Sequence, residues 1–111
     1  MIPPVTPAYG DGSLVDLLPS VLAALGVDAE TDVVGLPAAH GYCVLLIDGL
    51  GWLQLRDNAS AAPFLSSLAG GSITSPLPST TAASITSLGT GLPPGRHGLV
   101  GYTSRLPGTT T

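Results

Sequence analysis

Two stretches of this chain combine reactive groups with a local geometry that could use them. The first ends at Asp48, which closes the apolar run Tyr42-Cys43-Val44-Leu45-Leu46-Ile47 and is followed by Gly49. An apolar run without polar alternation suits a central strand buried on both faces. In open α/β sheets, ligands gather beyond the carboxyl ends of such strands. A carboxylate there can ligate a divalent cation, because such ions accept oxygen donors; an Asp-Gly turn after a strand is the plainer alternative. The second stretch is Pro78-Ser79-Thr80-Thr81, leading into the small-residue helix predicted from Ala82 to Leu88. A hydroxyl at a helix N-terminus sits among unpaired N–H groups and the positive end of the dipole. That setting stabilises an alkoxide and also binds phosphate. A threonine there becomes a nucleophile if a metal lowers its pKa further; an ordinary threonine N-cap is the plainer alternative.

The elements that must position these groups follow from local signals. Residues 1–12 are rich in Pro and Gly and predict an extended lead-in. Ser13 offers an N-cap for Leu14–Leu18, Pro19 suits the first turn of a following helix, and Gly26 is a natural stop after Leu25. Residues 28–41 predict a loop. Short helices are expected over Trp52–Asn58 and Ala62–Ala69, a second strand at Ser72–Ser75 and a third at Tyr102–Leu106. Pro93-Pro94-Gly95 predicts a tight bend into Arg96-His97-Gly98, and Thr109–Thr111 a frayed end.

Composition narrows the function. Seven acids oppose three arginines, giving a net charge of −4 with no lysine and no basic cluster. That balance speaks against a nucleic-acid scaffold, and the missing lysine removes Walker-type nucleotide binding and Schiff-base chemistry. The single cysteine, Cys43, excludes an internal disulfide and a multi-cysteine metal site, and its apolar surroundings suggest a small buried hydrophobe. No Gly-x-Ser-x-Gly elbow occurs, so a serine hydrolase of the α/β type has no nucleophile signature. The N-terminus carries no positive residue, and Asp16, Pro19 and Ser20 interrupt the apolar window Leu14–Leu25. The expectation is a cytoplasmic protein with no membrane partner. Only 9% of the 111 residues are charged while 44% are hydrophobic. Typical soluble domains carry about 25% charged residues, so the chain reads as interior belonging to something larger.

The two stretches together resemble a known family. Val44-Leu45-Leu46-Ile47-Asp48-Gly49-Leu50-Gly51 looks like the first metal-binding strand of the alkaline phosphatase superfamily. Pro78-Ser79-Thr80-Thr81, then Thr90-Gly91-Leu92, Pro94 and His97-Gly98-Leu99-Val100, resembles the type I phosphodiesterase/nucleotide pyrophosphatase branch. The resemblance spans about residues 42–104. It implies an α/β fold: the N-terminal part of an alkaline-phosphatase-like domain, a mostly parallel sheet flanked by helices and incomplete in this chain. Residues 1–111 are then the N-terminal segment of a single larger catalytic domain.

The activity implied is metal-dependent hydrolysis of a small-molecule phosphoester through a threonine nucleophile and a phosphothreonine intermediate. Thr81 would be the nucleophile. Asp48 and Thr81 would bind two divalent ions, usually zinc, whose remaining Asp and His ligands lie outside these residues. His97 falls at a family position that looks structural, bonding backbone at the bend. Tyr102 stands where nucleotide pyrophosphatases carry an asparagine that contacts a phosphate oxygen; a phenol also donates one hydrogen bond but is bulkier. Sulfatase chemistry is not expected, because Thr81-Ala82-Ala83-Ser84-Ile85 lacks the Cys/Ser-x-Pro-x-Arg string of those relatives. The alternative from another class is a non-catalytic fragment or small α/β interaction module. Such a segment would keep the frame without the chemistry.

Overall fold

A computed structural model describes residues 3–103 and 107–108. The helices are α1 (Leu14–Ala24), α2 (Trp52–Asp57), α3 (Pro63–Leu68), α4 (Thr81–Thr90) and α5 (Pro94–His97), with a 3-10 turn at Ala59–Ala61. The chain divides into two compact units. One comprises residues 1–42 and 73–111, the other residues 43–72.

The first unit is built on α1 packed against α4, with α5 against α4. Ser13 starts α1 as expected, through a complete capping box in which the N3 residue is Asp16. The Asp16 carboxylate is buried and does more than cap. It accepts from Ser13 Oγ at 2.7 Å, from Ser13 N at 2.8 Å, and from the backbone N–H groups of Gly10 and Gly12. Burial raises this carboxyl, but those hydrogen bonds together outweigh it and hold the group below its ordinary value. One side chain thus ties the lead-in loop to the first turn of α1. Thr74 ties the same loop to a distant part of the chain: its Oγ1 accepts from Ala8 N at 2.8 Å, and it forms a parallel bridge with Ser13.

Two boundaries differ from expectation here. Helix α1 runs straight through Pro19 instead of restarting at it. The proline lacks the N–H that would bond Val15 O, which ordinarily disfavours a helix interior. Tertiary packing explains why it is tolerated: a Cβ on Gly91 would lie 3.0 Å from Pro19 Cγ and 3.7 Å from Val15 O. The end of α4 therefore seats itself against the proline turn, and only glycine fits, because Gly91 also has φ +66°. Small residues let the helices approach, with Ala83, Ser87 and Ser20 all fully buried. Ser20 Oγ also accepts from Val33 N and Val34 N, docking the 28–41 loop on α1. The second difference is at residues 94–97, where a helical turn, α5, replaces the expected bend. Proline at its first position has the right φ for a helix start, which explains it.

The second unit contains α2, the 3-10 turn and α3. Both helices lie within a residue of the expected boundaries. The apolar run before them corrects the sequence expectation. No β-strand occurs among the described residues. Residues 42–47 have no regular secondary structure and no ladder, and Val44, Leu45, Leu46 and Ile47 are 41%, 72%, 51% and 43% exposed where burial on both faces was expected. Cys43 is exposed as well. A strand is stabilised by neighbours that bond its backbone and cover its faces, and this unit supplies none. The second expected strand, Ser72–Ser75, is reduced to the Thr74 bridge. Of the third, Tyr102 lies in a bend and residues 104–106 fall outside the described residues, as do Thr109–Thr111. Among the described residues, no helix is long and apolar enough to cross a membrane.

Candidate active site

The N-terminus of α4 is the best-defined reactive position in the first unit. Thr80 is the N-cap, in extended conformation, and its Oγ1 accepts from Ala83 N at 3.3 Å. The same hydroxyl donates to Val100 O at 2.9 Å. Capping thus falls to Thr80 and not to Thr81. Thr81 is the first helical residue, half-buried, in a turn whose N–H groups have no intrahelical acceptors. Its Oγ1 accepts a hydrogen bond from the Tyr102 phenol at 3.3 Å.

The chain returns to this helix end through α5. Gly98, at φ +79°, ends α5 in the left-handed region and turns the chain back. His97 braces that turn from both ring nitrogens. Nδ1 accepts from Leu99 N at 3.1 Å, and Nε2 lies 2.9 Å from the Oγ of fully buried Ser87. With Nδ1 accepting, Nε2 carries the proton and donates to Ser87. Bonding of backbone by His97 at the bend agrees with expectation; Ser87 was not anticipated. Its only sequence signal is its place four residues after Ala83, on the helix face that packs inward.

Asp48 belongs to the second unit. It opens the turn Asp48-Gly49 that leads to α2, whose N-cap is Gly51. Each of the two expected site residues is thus positioned by the elements of its own unit: Thr81 by the capped α4, Asp48 by a turn after the apolar run. Trp52 begins α2 and is 39% exposed, and Arg96 is exposed on α5. An apolar groove of about 210 Å³ is lined by Leu18, Pro19, Leu22, Glu30, Thr90 and Gly91 among others. It lies at the opposite end of α4 from Thr81. The described residues do not make a complete metal centre, since they hold no group of three or more His, Cys, Asp or Glu side chains able to share an ion.

Comparison with known families settles the lineage. Residues 42–111 match the model of the type I phosphodiesterase / nucleotide pyrophosphatase family, which is more than half of the chain. The chain belongs to this family. Membership implies an alkaline-phosphatase-like fold and phosphoric ester hydrolysis as the family's chemistry. In this member of the type I phosphodiesterase / nucleotide pyrophosphatase family, the matched region contains both Asp48 and Thr81 and begins at the apolar run. No curated protein and no solved structure matches the chain.

Proposed function

We propose that this segment supplies the nucleophile of a phosphodiesterase or nucleotide-pyrophosphatase-like hydrolase, and that Thr81 is that nucleophile. The observation that carries the reading is the division of labour at the start of α4. Thr80 performs the cap, so the plainer account of a threonine at a helix N-terminus is already used up by its neighbour. Thr81 Oγ1 stands half-buried at the positive end of a ten-residue helix, where a developing phosphoryl charge is stabilised.

The chemistry balances in two displacements. Thr81 Oγ1 attacks phosphorus, the bond from phosphorus to the leaving oxygen breaks, and the threonine proton ends on the departing alcohol. Water then attacks the phosphothreonine, the phosphorus–Oγ1 bond breaks, and Thr81 recovers a proton from that water. The α4 N-terminus contributes by holding charge on the transferred group through both steps.

Asp48 is proposed as a ligand of a divalent cation beside this nucleophile, with Thr81 Oγ1 as a second donor. Two zinc ions are the expected occupants. Two donors are too few for such a pair, so the remaining ligands come from chain outside this segment, and the 111 residues alone are inactive. The apolar run at residues 42–47 would then be a strand of the parallel sheet once its neighbours are in place, in a cytoplasmic enzyme acting on a small phosphoester.

The test is Thr81→Ala in the full-length protein, assayed on bis-p-nitrophenyl phosphate. Loss of at least about a thousandfold in turnover with an unchanged melting temperature is expected, as for removal of a covalent nucleophile. Near-normal turnover would remove Thr81 from the mechanism.

A further inference from the structure

We propose that the lead-in loop of the first unit is a clamp that sets where the nucleophile stands, with Tyr9 and Thr74 as its positioning residues; this rests on Thr81 being the nucleophile. Hydrogen bonds join residues 8–14 to residues 74–77. Thr74 N donates to Gly12 O at 3.0 Å, and Leu14 N donates to Thr74 O at 2.9 Å. Thr74 Oγ1 accepts from Ala8 N at 2.8 Å, and the Tyr9 hydroxyl accepts from Leu77 N at 3.0 Å. The family match begins at residue 42, so the clamp comes from chain that lies before the matched region.

The loop holds its own shape. Asp11 N donates to Ala8 O at 3.0 Å, and Gly10 has φ +80°, the value a type II turn needs at its third residue. Gly10 N also donates to both carboxylate oxygens of Asp16, at 3.0 and 3.1 Å. Tyr9 therefore stands between two backbone groups, Ala8 N and Gly10 N, that are fixed without it. The stretch that it grips is stiff. Pro76, which is fully buried, and Pro78 each have a locked φ, and Ser75 is restricted as the residue before a proline. Leu77, between the prolines, is held at its N–H by Tyr9. Two residues past Pro78, Thr80 caps α4. A stretch with so few free torsions passes a displacement on and does not absorb it. Where Thr74 and Leu77 are held thus decides where the first turn of α4 begins, and with it the place of Thr81. Misplacing a reacting atom by about 1 Å can cost about a hundredfold in rate.

The experiment uses the full-length, metal-loaded protein and bis-p-nitrophenyl phosphate, comparing Tyr9→Phe, Thr74→Val, Thr74→Ser and Thr81→Ala. Tyr9→Phe keeps the ring and removes only the acceptor. Leu77 is exposed, so water replaces that acceptor and the melting temperature should not move. Its kcat should fall roughly fivefold, the worth of one neutral hydrogen bond, with KM within about twofold. Thr74→Val keeps the side-chain shape and removes the hydroxyl, and should lower kcat about tenfold; Thr74→Ser should return it to within about twofold of wild type. A role confined to stability would lower the melting temperature of Thr74→Val and leave kcat, measured well below that temperature, unchanged. Wild-type kcat in either Tyr9→Phe or Thr74→Val, a loss that Thr74→Ser does not restore, or a raised KM at unchanged kcat overturns the clamp. If Thr74→Val does not fold, Tyr9→Phe decides alone. With Thr81→Ala inactive in the same series, those results remove the clamp and leave the nucleophile standing. With Thr81→Ala active, both fall.

Discussion

The two units of this chain both carry much apolar sequence, the second the larger share, and reach different ends. In the first, α1 and α4 bury Val15, Ala83 and Leu88 together with four polar or charged residues, Ser13, Asp16, Ser20 and Ser87. In the second, residues 43–72, none is buried, although Val44–Ile47, Phe64 and Leu68 are all large and apolar. Hydrophobicity alone therefore does not predict burial. The first unit is organised by small side chains that let two helices touch and by polar groups whose hydrogen bonds are satisfied on burial. The second has apolar surface in want of a cover.

The largest effect that would sharpen this contrast is at Asp16. Replacing it with alanine removes several hydrogen bonds to a charged acceptor and leaves the buried Ser13 N–H without it, which costs about 2–3 kcal/mol. Amide exchange should accelerate across α1 and α4 while exchange in residues 43–72 does not change. Acid should reproduce part of this. The folded-state value of Asp16 lies below its ordinary 3.8, so its stabilising contribution is complete above that pH and fades as pH falls through the lowered value. A melting temperature that stays flat to pH 2 would show that the carboxylate does not organise the unit.

A smaller effect is expected at Gly91→Ala. A side chain at φ +66°, placed 3.0 Å from Pro19 Cγ, should destabilise by about 1–2 kcal/mol, read as a lowered denaturant midpoint. The smallest effect is expected at Leu45→Ser in the second unit. Its side chain is 72% exposed, so stability should change by less than about 0.5 kcal/mol, while concentration-dependent association in sedimentation should decrease. A loss of several times that size would mean that residues 43–72 have a core after all.

What the sequence made legible was local. The Ser13 cap, the Gly26 stop, both short helices of the second unit and the threonine start of α4 each depend on a few adjacent residues, and each was read from them. The path of α1 through Pro19 was not, because what makes it tolerable is Gly91, seventy-two positions away. The contacts Ser87–His97 and Tyr102–Thr81 were hidden for the same reason: they arise where the chain folds back, and no periodicity records them. The apolar run at 42–47 teaches the converse. Its composition states what it needs, a cover on both faces, but not whether the neighbours that provide it are among these residues. Family membership, by contrast, was legible, because its motif residues are spaced along one continuous stretch.

Helix α4 is about 15 Å long, from its residue count and the rise per residue. The proline notch pins its tail and the Thr80 latch pins its head. A rod fastened at both ends can neither slide along its axis nor swing about one support. The hydroxyl of residue 81 therefore inherits its steadiness from a joint at the far tip of the rod, and loosening Pro19 or Gly91 would be felt as blur in the aim of an oxygen that neither residue touches.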